Sequence, residues 1–512
     1  MTDTHATGMG ARLRQLARHS FVYGLGGLVS KLVGIFLLPI YTHRVNKADF
    51  GEVEQVMAFV AVAAIVLRLG LVTAMFRFCW DHREPDARRR TISTAFTTVL
   101  GLSTLGLILC LVLLGPLSAA LDSKRELVLI GALGLWVSMN FDILAGIYRI
   151  EQRPVAFVVY SLLNVAISIV LSIVLVLPLH QGAAGIMIGN FSGTYITYAL
   201  LLYARRETVA LALDGALLRR MLDFSLPLMP AGVALWALNL ADRFQVINLT
   251  SRSELGSYSA ASKIALGIML PIAAFQTAWV PFANSFTDEA EAKRTYRAVF
   301  TYWTMLIAWA VVAISLFAPP YVHLLMPRTW WGAAPVVPLL AGGSALYGAY
   351  MILSIGVNRS KRTKLTPVVN ATAAAVNIGF NFLIIPAWGI VGAGISTVVG
   401  YAVLAGLGFA NAQAGYPVSH DWGRVLRTMA LAALFMLASA EVVPATGWVG
   451  IPVRLALLAA FPAGLVAIGV LTRGERRRIQ ELAARMRRPR HGRAVEEAEE
   501  LEVEQESEEA PV

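Results

Sequence analysis

The sequence predicts an all-α, polytopic membrane protein with about 14 transmembrane helices, built as two parallel six-helix repeats plus two extra helices. Three observations lead there. Of 512 residues, 57% are hydrophobic and only 15% charged, against about 25% charged in soluble domains. The apolar residues fall in blocks of about 20, the length that crosses a bilayer. Basic residues crowd into alternate connectors.

The blocks place spans at 20–42, 53–78, 93–115, 127–148, 155–178, 183–203, 222–249, 256–282, 298–318, 335–356, 366–386, 389–411, 424–443 and 450–472. With the N-terminus in the cytoplasm, and residues at the ends of spans counted with the adjoining connectors, thirty-two of the 43 Lys and Arg fall on the inner side and seven on the outer, with four deep inside spans. A missed helix would scramble that bias, so an even number of spans and two cytoplasmic termini are expected. The first apolar block begins near Phe21 and is long enough to remain as a helix rather than a cleaved signal.

Two cysteines, Cys79 and Cys110, sit in different spans near opposite ends, which argues against a disulfide. No Cys/His cluster has metal-binding spacing. Neither a cofactor nor a nucleic-acid partner is expected. The external connectors are short and no carboxylate pair stands out in them, against a membrane polymerase or glycosyltransferase.

An internal repeat organises the chain. "NKADFGEVEQ" (46–55) matches "SRSELGSYSA" (251–260), with Asp49-Phe50-Gly51 against Glu254-Leu255-Gly256. "PLHQGAAGIMIGN" (178–190) matches "PAWGIVGAGIST" (386–397) at nearly the same offset. An even repeat of six spans keeps both copies in one orientation, a transporter architecture with its site at the repeat interface. The expected segments are a cytoplasmic start (1–19), an N-terminal lobe (20–206), a C-terminal lobe (207–412), helices 13 and 14 (413–472) and a cytoplasmic tail (473–512). In the tail, "RGERRRIQELAARMRRPRHGR" reads either as a helix lying on anionic lipid or as a solvated helix. Residues 494–512 are acidic and read as disordered. Pro227, Pro230, Pro271 and Pro281 are expected to kink or end helices.

Four basic residues lie inside spans: Lys31, Arg68, Arg243 and Lys263. Facing lipid, they would cost about 10–14 kcal/mol together, so a wet interior is the better reading. On a helix, Gly232, Trp236, Asn239 and Arg243 share one face, while Asp242 points about 100° away. Ser20, Gly24, Gly27 and Lys31 form a similar stripe, as do Gly256, Ser259, Lys263 and Gly267. Each repeat would thus supply one cation from its first helix and one from its second. The competing readings are snorkelling for Lys31, Arg68 and Lys263, and a purely structural Asp242–Arg243 node. Asp142 and Arg149 could bridge as a gate, and Arg77 reads as an interfacial anchor. A cationic cavity favours a polyanionic ligand and disfavours organic cations.

Two segments carry a family resemblance. "FVYGLGGLVSKLVGIFLLPIYTHRVNKADFGEVEQ" (21–55) and "FSLPLMPAGVALWALNLADRFQVINLTSRSELGSYSAASKIA" (224–265) resemble the polysaccharide-export (O-antigen-type) flippases of the multidrug/oligosaccharidyl-lipid/polysaccharide exporter superfamily. The resemblance implies movement of a polyprenyl-pyrophosphate-linked oligosaccharide to the outer leaflet of the bacterial cytoplasmic membrane by alternating access, with no enzymatic activity. It implies Lys31, Arg68, Arg243, Lys263 and Asn239 as substrate-binding residues. Asp242 would be an ion-coupling (Na+ or H+) or structural carboxylate. It also implies a polymerase and a chain-length regulator as partners. The alternatives within the superfamily are a lipid II flippase, which Lys31 in place of an arginine disfavours, and a multidrug antiporter.

Overall fold

The computed structural model describes residues 34–81, 84–360, 362–442, 450–472 and 474–475, so Lys31, its stripe and the tail beyond 475 lie outside the described residues. Among the described residues, ten helices are long and apolar enough to cross a membrane. One of them, Thr363–Gly415, carries two of the expected spans. The protein is an all-α multi-pass membrane protein.

Helix α1 covers 34–44, followed by α2 (Lys47–Arg68), α3 (Leu71–Asp81), α4 (Pro85–Val112), α5 (Leu114–Ala120), α6 (Arg125–Ile150), α7 (Pro154–Val176) and α8 (Gly182–Ala204). After α9 (Gly215–Ser225) come α10 (Met229–Leu249), α11 (Arg252–Ala265), α12 (Met269–Asn284), α13 (Glu289–Leu325), α14 (Val336–Leu353) and α15 (Ile355–Ser360). The chain continues with α16 (Thr366–Gly415), α17 (Trp422–Val442) and α18 (Gly450–Ala467).

Helices α2, α4, α6, α7 and α8 pack on one another, and so do α10, α11, α13, α14 and α16. The two groups meet where α2 lies against α10 and α11. Helices α17 and α18 attach to α13, and α9 lies against α3 and α4. Outer faces carry large exposed apolar side chains, such as Leu105, Leu109, Val112 and Val155 in the first group and Phe382 and Leu383 in the second. That is the surface a bilayer would cover.

The sequence repeat has a local cause. Asn46 caps α2 by accepting from the Asp49 amide at 2.8 Å, and its own amide donates to the Asp49 carboxylate at 2.8 Å. Ser251 caps α11 by accepting from the Glu254 amide at 3.2 Å. Both are helix starts with an acid three residues after the cap. The second match is also conformational. Gly182 (φ 52°) opens α8, and Gly389 (φ 55°) breaks α16 at the matching position. Left-handed backbone of this kind suits glycine.

Pro227 lies in a 3₁₀ turn, Leu226–Leu228, between α9 and α10. Pro230 and Pro271 fall in the first turns of α10 and α12, where the missing N–H is harmless. Pro281 is inside α12. The expected second span starts and ends differently from 53–78. It begins at Lys47 and breaks at Leu69–Gly70, both at positive φ (51° and 68°). The Asn46 cap moves the helix start six residues earlier, which carries Glu52 into the helix and sets Glu54 two turns inside it.

Candidate functional site at the junction of the two helix groups

The crossing of α2 and α11 is tight because two glycines form it. A Cβ on Gly51 would fall on the Arg252 carbonyl oxygen, and one on Gly256 would fall on that of Lys47. Phe50 sits edge-on to the buried Trp330 ring at 5.5 Å. The turn between α5 and α6 ties this end together. Arg252 pairs with Asp122 at 2.5 Å, Lys124 with Asp49 at 3.0 Å, and Ser123 donates to Glu52 at 2.9 Å. The glycine end of the junction is therefore closed by packing and by surface ion pairs.

About one turn beyond Gly51 on α2 lies the carboxylate of Glu54. Glu54 Oε1 is 2.8 Å from Lys263 Nζ, and its Oε2 is 3.8 Å from Arg243 Nε. The side chains of Glu54, Arg243 and Lys263 are 10%, 14% and 28% exposed. The acid comes from the first helix group and both cations from the second. Among the described residues, no other carboxylate pairs with either cation.

Asp242 points elsewhere, as its helical angle requires. It is buried and accepts a hydrogen bond from the Tyr258 hydroxyl on α11. That hydroxyl also lies 3.5 Å from Thr397 Oγ1 on α16. Asn239 Oδ1 accepts from the Tyr401 hydroxyl at 2.6 Å. Close by, Gln245 accepts from Asn381 at 2.7 Å and donates to the Ile378 carbonyl at 3.0 Å. Asp242 Oδ1, Asn381 Oδ1 and both side-chain polar atoms of Asn377 are buried with no hydrogen-bond partner among the described residues.

Arg68 does not join Arg243 and Lys263. It lies fourteen residues beyond Glu54 on the same helix, about 21 Å away at 1.5 Å per residue. There it pairs with Asp142 at 2.5 Å and lines a cavity of about 360 Å³ with Asp142, Arg149, Thr73, Ser225 and Gly232. The Asp142–Arg149 gate is replaced by Asp142–Arg68. Two helical turns separate Asp142 from Arg149, about 10 Å, and Arg149 instead stacks on Phe76 and Phe157 at 4.9 and 5.4 Å. Arg77 lies 4.4 Å above the Phe224 ring.

The structure thus brings together Arg243 and Lys263, sets Asp242 and Asn239 in a neighbouring polar layer, and keeps Arg68 at a separate station. Glu54, Tyr258 and Tyr401 were not singled out from the sequence. For Glu54 a signal existed: the Asn46–Asp49 cap puts it two turns inside the helix rather than at an interface.

Comparison with known proteins bears on the family and the fold. Residues 45–335 match the family described as "Polysaccharide biosynthesis protein". An uncharacterized membrane protein of Methanocaldococcus jannaschii is 20% identical over 420 residues, covering 75% of this chain and 81% of that protein. The uncharacterized membrane protein YabM of Bacillus subtilis is 21% identical, covering 78% and 80%. Among solved structures, lipid II flippase MurJ in an inward closed conformation aligns with a TM-score of 0.68 at 11% identity, covering 86% of this chain and 98% of that one. An inward-facing multidrug resistance MATE family transporter of the MOP superfamily aligns at 0.61 and 18% identity, covering 78% and 93%. At those identities the likeness is one of fold. The family match spans more than half of the sequence and runs through both N-capped repeats and the Glu54–Arg243–Lys263 cluster: the chain belongs to the polysaccharide biosynthesis protein family.

Proposed function

We propose that this protein is a flippase that carries a polyprenyl-pyrophosphate-linked oligosaccharide from the inner to the outer leaflet of the bacterial cytoplasmic membrane, for surface polysaccharide synthesis. The observation that carries the proposal is the convergence of Arg243 and Lys263 on one buried point between two helix groups. Buried cations are costly in a membrane, and an anionic head group passing between two lobes gives them a use. The Arg68 station, open to a cavity of about 360 Å³, is the entry point in this reading. Both termini and the Arg68 end face the cytoplasm, and the Gly51–Gly256 end faces outward.

The groups α1–α8 and α10–α16 act as the two lobes of an alternating-access carrier and perform no covalent chemistry. A pyrophosphate with about two negative charges moving outward across 100 mV, inside negative, gains about 4.6 kcal/mol. The empty carrier then resets with H+ or Na+ at Asp242. The partnerless oxygens of Asp242, Asn377 and Asn381 support a cation between α10 and α16. A polymerase and a chain-length regulator would take the product on the outer face.

The test is flipping in proteoliposomes. A short glycan on polyprenyl pyrophosphate is placed in both leaflets and its accessibility to external glycosidase followed. Wild type should expose nearly all of the glycan, and folded Arg243→Ala should expose only the outer-leaflet half. Wild-type protein that exposes no more than empty vesicles do would refute the assignment.

A further inference from the structure

Arg243 and Lys263 are already occupied by an anion, and that anion belongs to the protein. Glu54 reaches them from the opposite helix group, bonded to Lys263 at 2.8 Å and beside Arg243 at 3.8 Å. Two cations face one carboxylate, so the cluster keeps a surplus positive charge. Asp242, the acidic neighbour of Arg243 on α10, is turned to Tyr258, and the buried Glu52 on α2 is held by Ser123 and Lys124. Phe50, one turn before Glu54, carries the Lys263 ammonium 5.7 Å from its ring and packs on Trp330. The same α2 turns therefore hold the cations and the closed glycine crossing.

We propose that Glu54 is an internal stand-in for the ligand's anionic group: it holds the two helix groups together while the carrier is empty, and the ligand's pyrophosphate displaces it, releasing α2 from α10 and α11. This rests on the reading of Arg243 and Lys263 as an anion site. The reasoning is one of charge and connectivity. A pyrophosphate brings two or more charges where Glu54 brings one, so it neutralises the surplus that Glu54 leaves. It is not attached to α2, so once it is bound the cations no longer tie the two groups at this point. An empty carrier with bare cations would have neither the closed crossing nor a reason to wait for its ligand. Exchange of a tethered anion for a free one makes opening depend on the ligand.

Purified full-length protein provides the test, with inorganic pyrophosphate as the probe. Spin labels at Ala120 and Thr329, exposed positions near the closed end on opposite groups, report the separation, and calorimetry reports binding. In wild type, pyrophosphate should lengthen the label distance. Glu54→Gln should show the lengthened distance without pyrophosphate and bind the probe roughly tenfold more tightly, because no tethered carboxylate competes. Glu54→Asp should be intermediate. If Glu54→Gln folds poorly with its extra positive charge, Glu54→Gln/Lys263→Gln restores the charge balance and should still show the long distance. A Glu54→Gln protein with wild-type distance and wild-type affinity would overturn the exchange while leaving the anion site intact. Absence of pyrophosphate binding in wild type and Glu54→Gln alike would remove the anion site and the exchange together.

Discussion

Gly51 and Gly256 meet at the crossing of α2 and α11: each lies against the first turn of the other's helix, and neither position has room for a Cβ. They are also the matching glycines of the two sequence repeats. The two matched sequence segments therefore meet in three dimensions at one crossing.

Substitution there should be costly. Gly51→Ala and Gly256→Ala force backbone apart, and overpacking of this kind costs about 1–3 kcal/mol. Gly101 on α4 has nothing within 4 Å of a built Cβ, so Gly101→Ala should be neutral or slightly stabilising. Thermal unfolding of the solubilised variants compares the three. Equal melting temperatures for all would mean that the crossing has room for a methyl group.

Removing Lys263 should do more harm than its partial exposure suggests. Lys263→Ala leaves Glu54 beside Arg243 at 3.8 Å only, and breaking a buried pair typically costs about 3–5 kcal/mol. The double variant Lys263→Ala/Glu54→Ala should recover much of that loss in a melting experiment without recovering flipping. A double variant no more stable than Lys263→Ala would argue against the pairing.

Tyr258 should matter through its hydroxyl alone. Tyr258→Phe leaves a buried Asp242 oxygen without its donor, at about 1–3 kcal/mol. In the Asp242→Asn background the same change should cost less. A double-mutant cycle reads the coupling, and additivity would show that the hydrogen bond contributes nothing.

One pH effect is expected outside the membrane. Glu475 follows α18 and is partly buried, which opposes its ionisation. Hydrogen bonds from Tyr302, Thr472 and Arg424 outweigh that and hold its carboxyl down at about 2, against 4.5 unperturbed. The folded value is depressed, so docking of this segment on Tyr302 and Arg424 is fully supported above about pH 4.5 and is lost as pH falls towards 2. A nitroxide at Gly474 should become mobile over that window in wild type. In Glu475→Gln its mobility should be independent of pH. A wild-type label that stays immobile down to pH 2 would contradict the assignment.

Periodicity and composition sufficed for the all-helical membrane class and for setting Arg243 and Lys263 inside helices, because those properties are local along the chain. The angle between Asp242 and Arg243 was also legible, since helix geometry alone separates them. The tertiary structure decided the partners. Glu54 meets Lys263 across more than two hundred residues, and the reading from hydropathy placed Glu54 at a span's edge because hydropathy does not see the Asn46 cap. Arg68 shares a helix with Glu54 and still belongs to another station, because about 21 Å of α2 lies between them. Pairing of buried charges depends on which helices pack together and at what height. Neither quantity is encoded in the pattern of any single span.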